Sequence, residues 1–310
     1  MTRAVNYTRL PTERPHPNSH SLDRLSVPQL LRLMNGEDAR VPRAIARVIP
    51  QVARAVSLLV TTLRAGGRLF FLGAGTSGRL GVIEAAECPP TFSTPPAMIQ
   101  AIIAGGRRAV FRSREGAEDD RRRAREEIRR RIHANDVVVG IAASGVTPFV
   151  EAGLRAAKQQ GARTVLVTCH PQARPHCQLD GLIAPQVGPE LITGSTRLKA
   201  GTATKLILNM LTVATLVQLG KVYGHWMVEV RPTSRKLNAR AVRIIQELAG
   251  VSSRRAAHLL RQARGQTKLA IVMAARDIGH RQALRLLRRH DGRLNAILTH
   301  QPTRPDPDQT

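Results

Sequence analysis

The sequence predicts an α/β protein with a doubly wound, five-stranded parallel sheet and a C-terminal helical subdomain. Continuous apolar runs alternate with helical stretches between residues 68 and 184, and uninterrupted runs are typical of strands buried on both faces. After Pro232 the apolar residues recur only at helical spacing. The strands are predicted at 68–72, 97–103, 137–142, 163–168 and 181–184.

The remaining elements follow from apolar spacing and from glycine, proline and capping residues. The proline-rich residues 1–20 are predicted to form an extended arm, followed by helices at 26–33 and 41–65, the second of which pauses at Pro50. A long helix is predicted at 197–219. Later helices are predicted at 237–248, 253–264, 267–276 and 281–290, and the tail from Gln301 is predicted to be disordered. The predicted domains are 1–58, an arm with helices, 59–222, the α/β domain, and 235–300, the helical subdomain.

Composition predicts a soluble, cytoplasmic protein. The chain has 310 residues, of which 42% are hydrophobic, and this is ample for a core. The longest apolar stretch, 206–219, is interrupted by four polar residues, so no membrane span is predicted. The N-terminus has prolines where a secretory signal needs an apolar core. Three cysteines cannot form a disulfide framework, which fits a reducing cytoplasm.

The formal net charge of +26 would ordinarily indicate a nucleic-acid-binding protein. The basic residues are nearly all Arg, however, and the densest segment carries its own acidic partners at helical spacing. The predicted pairs are Glu118 with Arg122, Asp119 with Arg123, Glu126 with Arg130, and Glu127 with Arg131. Aromatic residues are only 3% and are not interleaved with the basic ones. We therefore expect no specific nucleic-acid partner, although weak affinity for polyanions at low salt stays open.

A glycine-rich turn at 72–79 (LGAGTSGR) joins the first strand to a helix. Such a turn presents backbone N–H groups and hydroxyls to an anion at the helix N-terminus. The acidic residue that a dinucleotide site needs about 20 positions later is missing, and Arg79-Leu80 replace the Lys and Ser or Thr of a nucleoside triphosphate loop. The turn therefore favours a small monophosphate, with simple packing of helix on strand as the alternative.

A second turn of the same kind follows the third strand, at 142–148 (AASGVTP). Pro148 occupies a favourable first helical position. Because the carboxyl ends of parallel strands meet at one crevice, we expect both hydroxyl-bearing turns to surround one ligand.

Two groups of carboxylates lie near these turns. Pro89 is expected to end the first helix and to leave Glu87 at its C-terminal end, where the dipole would raise the carboxyl pKa and suit a general acid. The acidic residues at 115–120 open the long charged helix, where they would stay ionised and one could act as a base. Solvent exposure of Glu87 and helix capping by 115–120 remain the alternatives.

Two Cys-His pairs after the fourth strand, at 169–170 and 176–177, have spacing that a metal site could use. They are adjacent residues rather than CxxC units, and prolines interrupt the loop between them, so no metal site is predicted. Cys88 has no nearby His in sequence, so it is not predicted to be a nucleophile.

Five motifs in order resemble those of N-acetylmuramic acid 6-phosphate etherases. They are LGAGTSGRLG at 72–81, ECPPT at 87–91, EGAED at 115–119, GIAASG at 140–145 and TGSTRLKAGT at 193–202. The resemblance extends over nearly the whole chain, from Thr12-Glu13 through NGED at 35–38 to the C-terminal helices.

The resemblance implies a SIS domain, the sugar-phosphate-binding α/β sandwich, in a homodimer that uses no metal or redox cofactor. It implies cleavage of the lactyl ether by elimination followed by addition of water. The proton donor of the family falls on Glu87 and its second active-site glutamate on Glu118. Loop placement adds candidate phosphate or hydroxyl contacts at Gly75, Thr76, Ser77, Ser144, Gly145 and Thr147, with Lys205 and Lys199 as candidates for charge balance.

Val146, His16 and His225-Trp226 depart from the family pattern, at positions expected to tune substrate fit or the dimer edge. Two other functions stay open. One is a sugar-phosphate sensor resembling glucokinase regulatory protein, which carries two SIS domains. The other is a SIS isomerase, which would not need the Glu87-Cys-Pro-Pro motif.

Overall fold

The computed structural model describes residues 10–173 and 177–298. Its sheet has five parallel strands in the order β2-β1-β3-β4-β5. Each strand lies within two residues of its predicted position, so the predicted parallel sheet is confirmed. The strands are β1 (Leu69–Gly73), β2 (Ile99–Ile103), β3 (Val137–Ile141), β4 (Arg163–Val167) and β5 (Gly181–Ile183).

Twelve α-helices occur in the described residues. Those before the last strand are α1 (Val27–Asp38), α2 (Val41–Ala46), α3 (Ile49–Arg64), α4 (Gly75–Phe92), α5 (Arg108–Phe111), α6 (Arg121–Arg131) and α7 (Pro148–Gln159). Those after it are α8 (Lys199–Gln218), α9 (Arg235–Ala249), α10 (Ser253–Gln262), α11 (Thr267–Arg276) and α12 (His280–Arg289). The pause predicted at Pro50 corresponds to a break between α2 and α3, and Pro50, which lacks an N–H to donate, sits in the first turn of α3.

Helices cover both faces of the sheet. On one face, Phe70 and Leu72 belong to a buried cluster with residues of α6 and α7. On the other, Phe71 faces α4, where a Cβ at Gly81 would lie 2.8 Å from the Cβ of Phe71. Successive strand residues point to opposite faces, so the continuous apolar run of β1 is explained by burial on both sides.

The N-terminal segment is not simply extended. Pro11–Glu13 forms a 3-10 turn, and Leu10, Thr12 and His16 are buried. The rest of the predicted arm, residues 1–9, and the predicted tail from Gln301 lie outside the described residues.

The prediction that Pro89 ends the first helix is wrong. α4 continues through Pro89 and Pro90 to Phe92, and the Ser93 N–H donates to the Pro89 carbonyl oxygen at 2.9 Å. A proline removes its own N–H but leaves its carbonyl able to accept, so helical bonding resumes on the far side. Glu87 therefore lies within α4 and not at its end.

The chain forms two compact units. One contains residues up to Glu87 together with Pro95–Thr215, and the other contains Cys88–Thr94 and residues from Leu216 onward. The second unit is built on α9–α12, with Ala241, Ile244 and Ile271 in its core. Gly250 ends α9 in a left-handed conformation, and Ser252 caps α10 by accepting from the Arg255 N–H.

α8 is by length and composition apolar enough to cross a membrane, and 56% of its apolar stretch is buried inside the protein. Asn209 and Thr212 of α8 both donate to the buried carboxylate of Glu84 on α4. Polar partners and burial are typical of a core helix.

Candidate active site

The two hydroxyl-bearing loops begin side by side. β1 and β3 are neighbours, and their last residues, Gly73 and Ile141, are register partners. After β1 the chain continues to β2 on one side of the pair, and after β3 it continues to β4 on the other side. In a doubly wound sheet, ligands bind at such a reversal of strand order, outside the carboxyl ends of the strands.

Glycines bring the start of α4 close to the sheet. A Cβ at Gly73 would lie 2.7 Å from the Gly78 nitrogen, and a Cβ at Gly78 would lie 2.6 Å from the Ile103 side chain. Gly75 has φ +53°, which favours glycine. The Gly78 N–H donates to the Ala74 oxygen at 3.1 Å, so the N–H groups of Gly75, Thr76 and Ser77 precede the first helical hydrogen bond and can face an anion.

The second loop is a tight turn that leads into α7. The Gly145 N–H donates to the Ala142 oxygen at 2.9 Å, and Gly145 has φ +76°. His170 Nδ1 lies 2.9 Å from the Ser144 carbonyl oxygen and fixes the loop from outside. Pro148 is the first residue of α7, as predicted, and Thr147 is its N-cap residue.

A cleft of about 520 Å³ opens between the loops. Its lining includes carboxylates of Glu13, Glu118 and Asp119, and it contains no Lys or Arg among the described residues. An anion here must therefore depend on backbone N–H groups, hydroxyls and the α4 dipole. Its other polar lining residues include Thr12, Thr76, Ser77, Ser144, Thr147 and Thr196.

Four predicted site residues are not among those that line this cleft: Gly145, Lys199, Lys205 and Glu87. Gly145 shapes the turn between Ser144 and Val146. Lys205 on α8 and Glu87 on α4 are both exposed. Their roles in binding or catalysis stay predictions.

Glu118 and Asp119 lie on a short 3-10 turn, Ala117–Asp119, before the charged helix rather than in it. α6 begins at Arg121, and Asp120 caps it by accepting from the Arg123 N–H at 2.8 Å. The predicted pairs Glu118–Arg122 and Asp119–Arg123 are therefore wrong. They assumed one continuous helix, whereas both acids lie in the preceding 3-10 turn and line the cleft.

Of the other predicted pairs, Glu127 with Arg131 is confirmed at 3.8 Å. Glu126 bonds to residues that precede it, Arg122 at 3.5 Å and Arg123 at 3.6 Å, instead of to Arg130.

A larger cavity of about 850 Å³ lies on the other side of the loop that carries Glu118. Arginines line it, and three of them are already bonded to Glu127, which lies 2.9 Å from Arg123, 3.0 Å from Arg130 and 3.8 Å from Arg131. Among the residues that the structure describes, its lining has no Ser or Thr hydroxyl. The smaller cleft therefore fits the predicted phosphate site better.

A buried charge cluster, which the sequence did not reveal, fixes the N-terminal segment. Glu37 accepts from Lys199 Nζ at 2.5 Å and from His16 Nε2 at 3.0 Å, and all three are buried. His16 Nδ1 accepts from the Asn18 N–H at 3.1 Å, which places the ring proton on the nitrogen facing Glu37. Burial acts to raise the pKa of Glu37, but Lys199 and His16 outweigh it, and the pKa is lowered.

Glu190 binds the backbone of Lys199, whose side chain contacts Glu37. Its carboxylate accepts from the backbone N–H groups of Lys199 at 3.0 Å and Ala200 at 2.9 Å, at the start of α8. Burial raises the pKa of Glu190 despite these hydrogen bonds. Lys199, a candidate for charge balance in the site, is thus engaged with two buried carboxylates.

The Cys-His pairs form no metal cluster in the described part of the chain. Burial raises the pKa of the Cys169 thiol to about 12, which disfavours the thiolate that a metal would need. His176 lies outside the described residues.

The departures from the family pattern have separate environments. Val146 lines the cleft, His16 belongs to the buried cluster, and the rings of His225 and Trp226 are 4.5 Å apart in the second unit.

Comparison with known proteins places the chain in a family. Residues 51–158 match the family model described as the glucokinase regulatory protein N-terminal SIS domain. The phosphoheptose isomerase of Neisseria gonorrhoeae, a solved structure, is 17% identical with a TM-score of 0.49, over 61% of this chain and 98% of that one.

Curated relatives match over almost the full length. The N-acetylmuramic acid 6-phosphate etherase of Microcystis aeruginosa is 49% identical over 288 residues, covering 93% of this chain and 94% of the relative. That of Rhodopirellula baltica is 46% identical over 292 residues, covering 93% and 96%. The chain belongs to the N-acetylmuramic acid 6-phosphate etherase family.

Proposed function

We propose that this protein is a carbon–oxygen lyase that cleaves the D-lactyl ether of N-acetylmuramic acid 6-phosphate. The products are N-acetylglucosamine 6-phosphate and D-lactate, and the role is recovery or breakdown of cell-wall amino sugars. The observation that carries the proposal is the cleft itself, in which the hydroxyls of Thr76, Ser77 and Ser144 face the same space as the carboxylate of Glu118. Family membership supports the choice of substrate.

The reaction needs one proton removed and one supplied. In the proposed course Glu118 takes the C2 proton of the opened sugar, beside its aldehyde, while the C3–oxygen bond breaks. Glu87 protonates the departing lactate oxygen. Water then adds across the double bond, with its oxygen at C3 and a proton at C2. General acid–base groups of this kind contribute roughly 10²–10⁴-fold each.

Phosphate binding follows from the start of α4. The N–H groups and hydroxyls of Thr76 and Ser77, with the positive end of the helix dipole, replace the cations that the cleft lacks. Ser144 and Thr147 would hold the phosphate or nearby hydroxyls from the other side.

We also propose that the protein acts as a homodimer, because Glu87 does not line the cleft of its own chain. Glu87 is twelve residues beyond Gly75 on α4, which places the two about 18 Å apart along the helix axis. A hexose phosphate built from bonds near 1.5 Å spans on the order of 10 Å. Glu87 would therefore serve the cleft of the partner in a two-fold dimer.

The surface around Glu87 fits such an association. Ile83, one helical turn before it, is 56% exposed, and Val213 on α8 is 44% exposed. Glu84 of α4 contacts α8 through Asn209 and Thr212. Exposed apolar side chains on packed neighbouring helices are typical of a surface that another protein covers.

The regulator alternative has less support. The match to the regulatory-protein domain covers residues 51–158, whereas the etherase relatives cover up to 93% of the chain.

A cytoplasmic location fits three cysteines that form no disulfide.

The test is release of D-lactate by the purified protein from N-acetylmuramic acid 6-phosphate, in buffer containing a chelator. We expect release with the phosphorylated sugar and at least a hundredfold less with the unphosphorylated sugar. Folded protein that binds N-acetylglucosamine 6-phosphate but releases no lactate would support the sensor instead.

A further inference from the structure

The N-terminal segment adds a carboxylate to the cleft that the roles above do not use. Glu13 ends the 3-10 turn Pro11–Glu13 and lines the cleft together with Thr12. The Thr12 residue is buried, whereas Glu13 is exposed. The turn is thus anchored through one residue and presents the next to the ligand space.

The position of this carboxylate is fixed by specific contacts. The Gly194 N–H donates to the Thr12 oxygen at 3.1 Å, and the Thr12 hydroxyl donates to Glu13 Oε1 at 3.2 Å. A Cβ at Gly194 would lie only 3.0 Å from Glu13 Oε2, and Gly194 has φ +77°. Three residues later, His16 joins the buried cluster with Glu37 and Lys199. These contacts hold Glu13 against the cleft wall.

The charge of Glu13 decides what it can bind. An ionised carboxylate only accepts hydrogen bonds, and it would repel a phosphate in a cleft that has no basic lining residue among those described. Its partner must therefore be a neutral donor. An amino sugar offers such donors in its hydroxyls and in the N–H of its acetamido group.

We propose that Glu13 is a substrate-binding residue that accepts hydrogen bonds from the neutral hydroxyl or amide donors of the sugar, away from its phosphate. This assignment rests on the proposed function, which places the sugar in this cleft. Glu13 acts in binding and takes no part in proton transfer, so its contact is made equally in the ground state and the transition state.

The first test is the variant Glu13→Gln, which keeps the shape but loses the charge and one acceptor. Loss of a hydrogen bond to a charged group should raise KM for N-acetylmuramic acid 6-phosphate by roughly ten- to a hundredfold, with kcat within about threefold of the parent protein. The dissociation constant for N-acetylglucosamine 6-phosphate, measured by calorimetry, should rise in parallel. Asp23→Asn is the matched control, an exposed acid of the same segment that does not line the cleft.

A second variant tests the placement. Gly194→Ala puts a methyl group against the Glu13 carboxylate and should raise KM in the same way, with folding checked by circular dichroism. A KM that stays within threefold in Glu13→Gln, or a fall in kcat with KM unchanged, would overturn the assignment. If the parent protein itself releases no lactate, the proposed function fails instead, and the two failures are thus distinguished.

Discussion

Gly73 and Ile141 stand opposite each other at the ends of β1 and β3, and this pairing brings the two hydroxyl-bearing loops together. The loops at 74–77 and 142–147 leave the sheet from adjacent points. Residues 74–77, 143, 144, 146 and 147 line one cleft. The site is thus a consequence of strand order: if β2 lay between these strands, the loops would be about 5 Å further apart.

The loop hydroxyls should bind the phosphate rather than the sugar. We expect Thr76→Val and Ser144→Ala each to weaken binding of N-acetylglucosamine 6-phosphate by roughly tenfold, because a hydrogen bond to a charged group is lost. Affinity for unphosphorylated N-acetylglucosamine should not change. Calorimetry measures both, with Thr61→Val, at an exposed position of α3, as the control. Equal weakening for both sugars would place these hydroxyls on the sugar ring.

Two glycines with open space around them should respond in opposite ways to alanine. Neither Gly75 nor Gly36 has an atom within 4 Å of an added Cβ, but only Gly75 has positive φ. Gly75→Ala should lower the free energy of unfolding by about 1 kcal/mol through backbone strain. Gly36→Ala, in α1, should raise it by about 0.5–1 kcal/mol. Chemical denaturation measures both, and stabilisation by Gly75→Ala would refute the left-handed start of α4.

Glu87 and Glu118 should complement each other across a dimer. The variants Glu87→Gln and Glu118→Gln should each release lactate at least a hundredfold more slowly while still binding N-acetylglucosamine 6-phosphate. Co-expression of the two should restore about one quarter of the parent activity, since half of random dimers are mixed and each has one intact site of two.

Co-expression of the two variants also distinguishes a site shared between two chains from a site formed within one chain. If both glutamates acted in one chain, every site in a mixed dimer would lack one of them, and co-expression would restore nothing. Glu247→Gln, an exposed glutamate of α9, is the matched control and should leave activity unchanged.

The buried cluster should make the protein sensitive to acid. Because the pKa of Glu37 is lower in the folded protein than its ordinary 4.5, the unfolded chain binds more protons at acid pH. The stabilisation that ionised Glu37 contributes to the folded protein is therefore complete above pH 4.5. It is lost as the pH falls through the lowered pKa of the folded state. The free energy of unfolding measured against pH should show this loss.

Substitution of His16 tests the origin of that stability. His16→Leu removes a hydrogen-bond donor to a buried carboxylate and should cost about 2 kcal/mol at pH 7. His16→Gln keeps an N–H donor and should cost less than half as much. Equal costs would show that packing, rather than the contact with Glu37, holds the segment.

The sequence predicted the sheet well because its strands are buried on both faces, so continuous apolar runs mark them clearly. The glycine and hydroxyl residues of 73–78 and 142–147 likewise predicted turns at strand ends. Order within the sheet was not predictable from these runs, since any strand can pair with another. The predicted domain boundaries at 58 and 222 remain predictions.

Two features of the site could not be predicted from local patterns. His16, Glu37 and Lys199 meet only in the folded chain, and Glu37 and Lys199 are 162 residues apart in sequence, so no spacing rule finds them. The path of α4 through Pro89 runs against the local preference of residues before proline. The Ser93 N–H donates to the Pro89 carbonyl oxygen, so helical hydrogen bonding resumes beyond the proline.

A crystal structure of the protein with N-acetylglucosamine 6-phosphate would show where the phosphate binds. We expect the phosphate within hydrogen-bond distance of Thr76 or Ser77 at the start of α4, with Ser144 or Thr147 facing it and Glu118 near C2. A phosphate bound instead among the arginines of the larger cavity, with the cleft empty, would contradict this expectation.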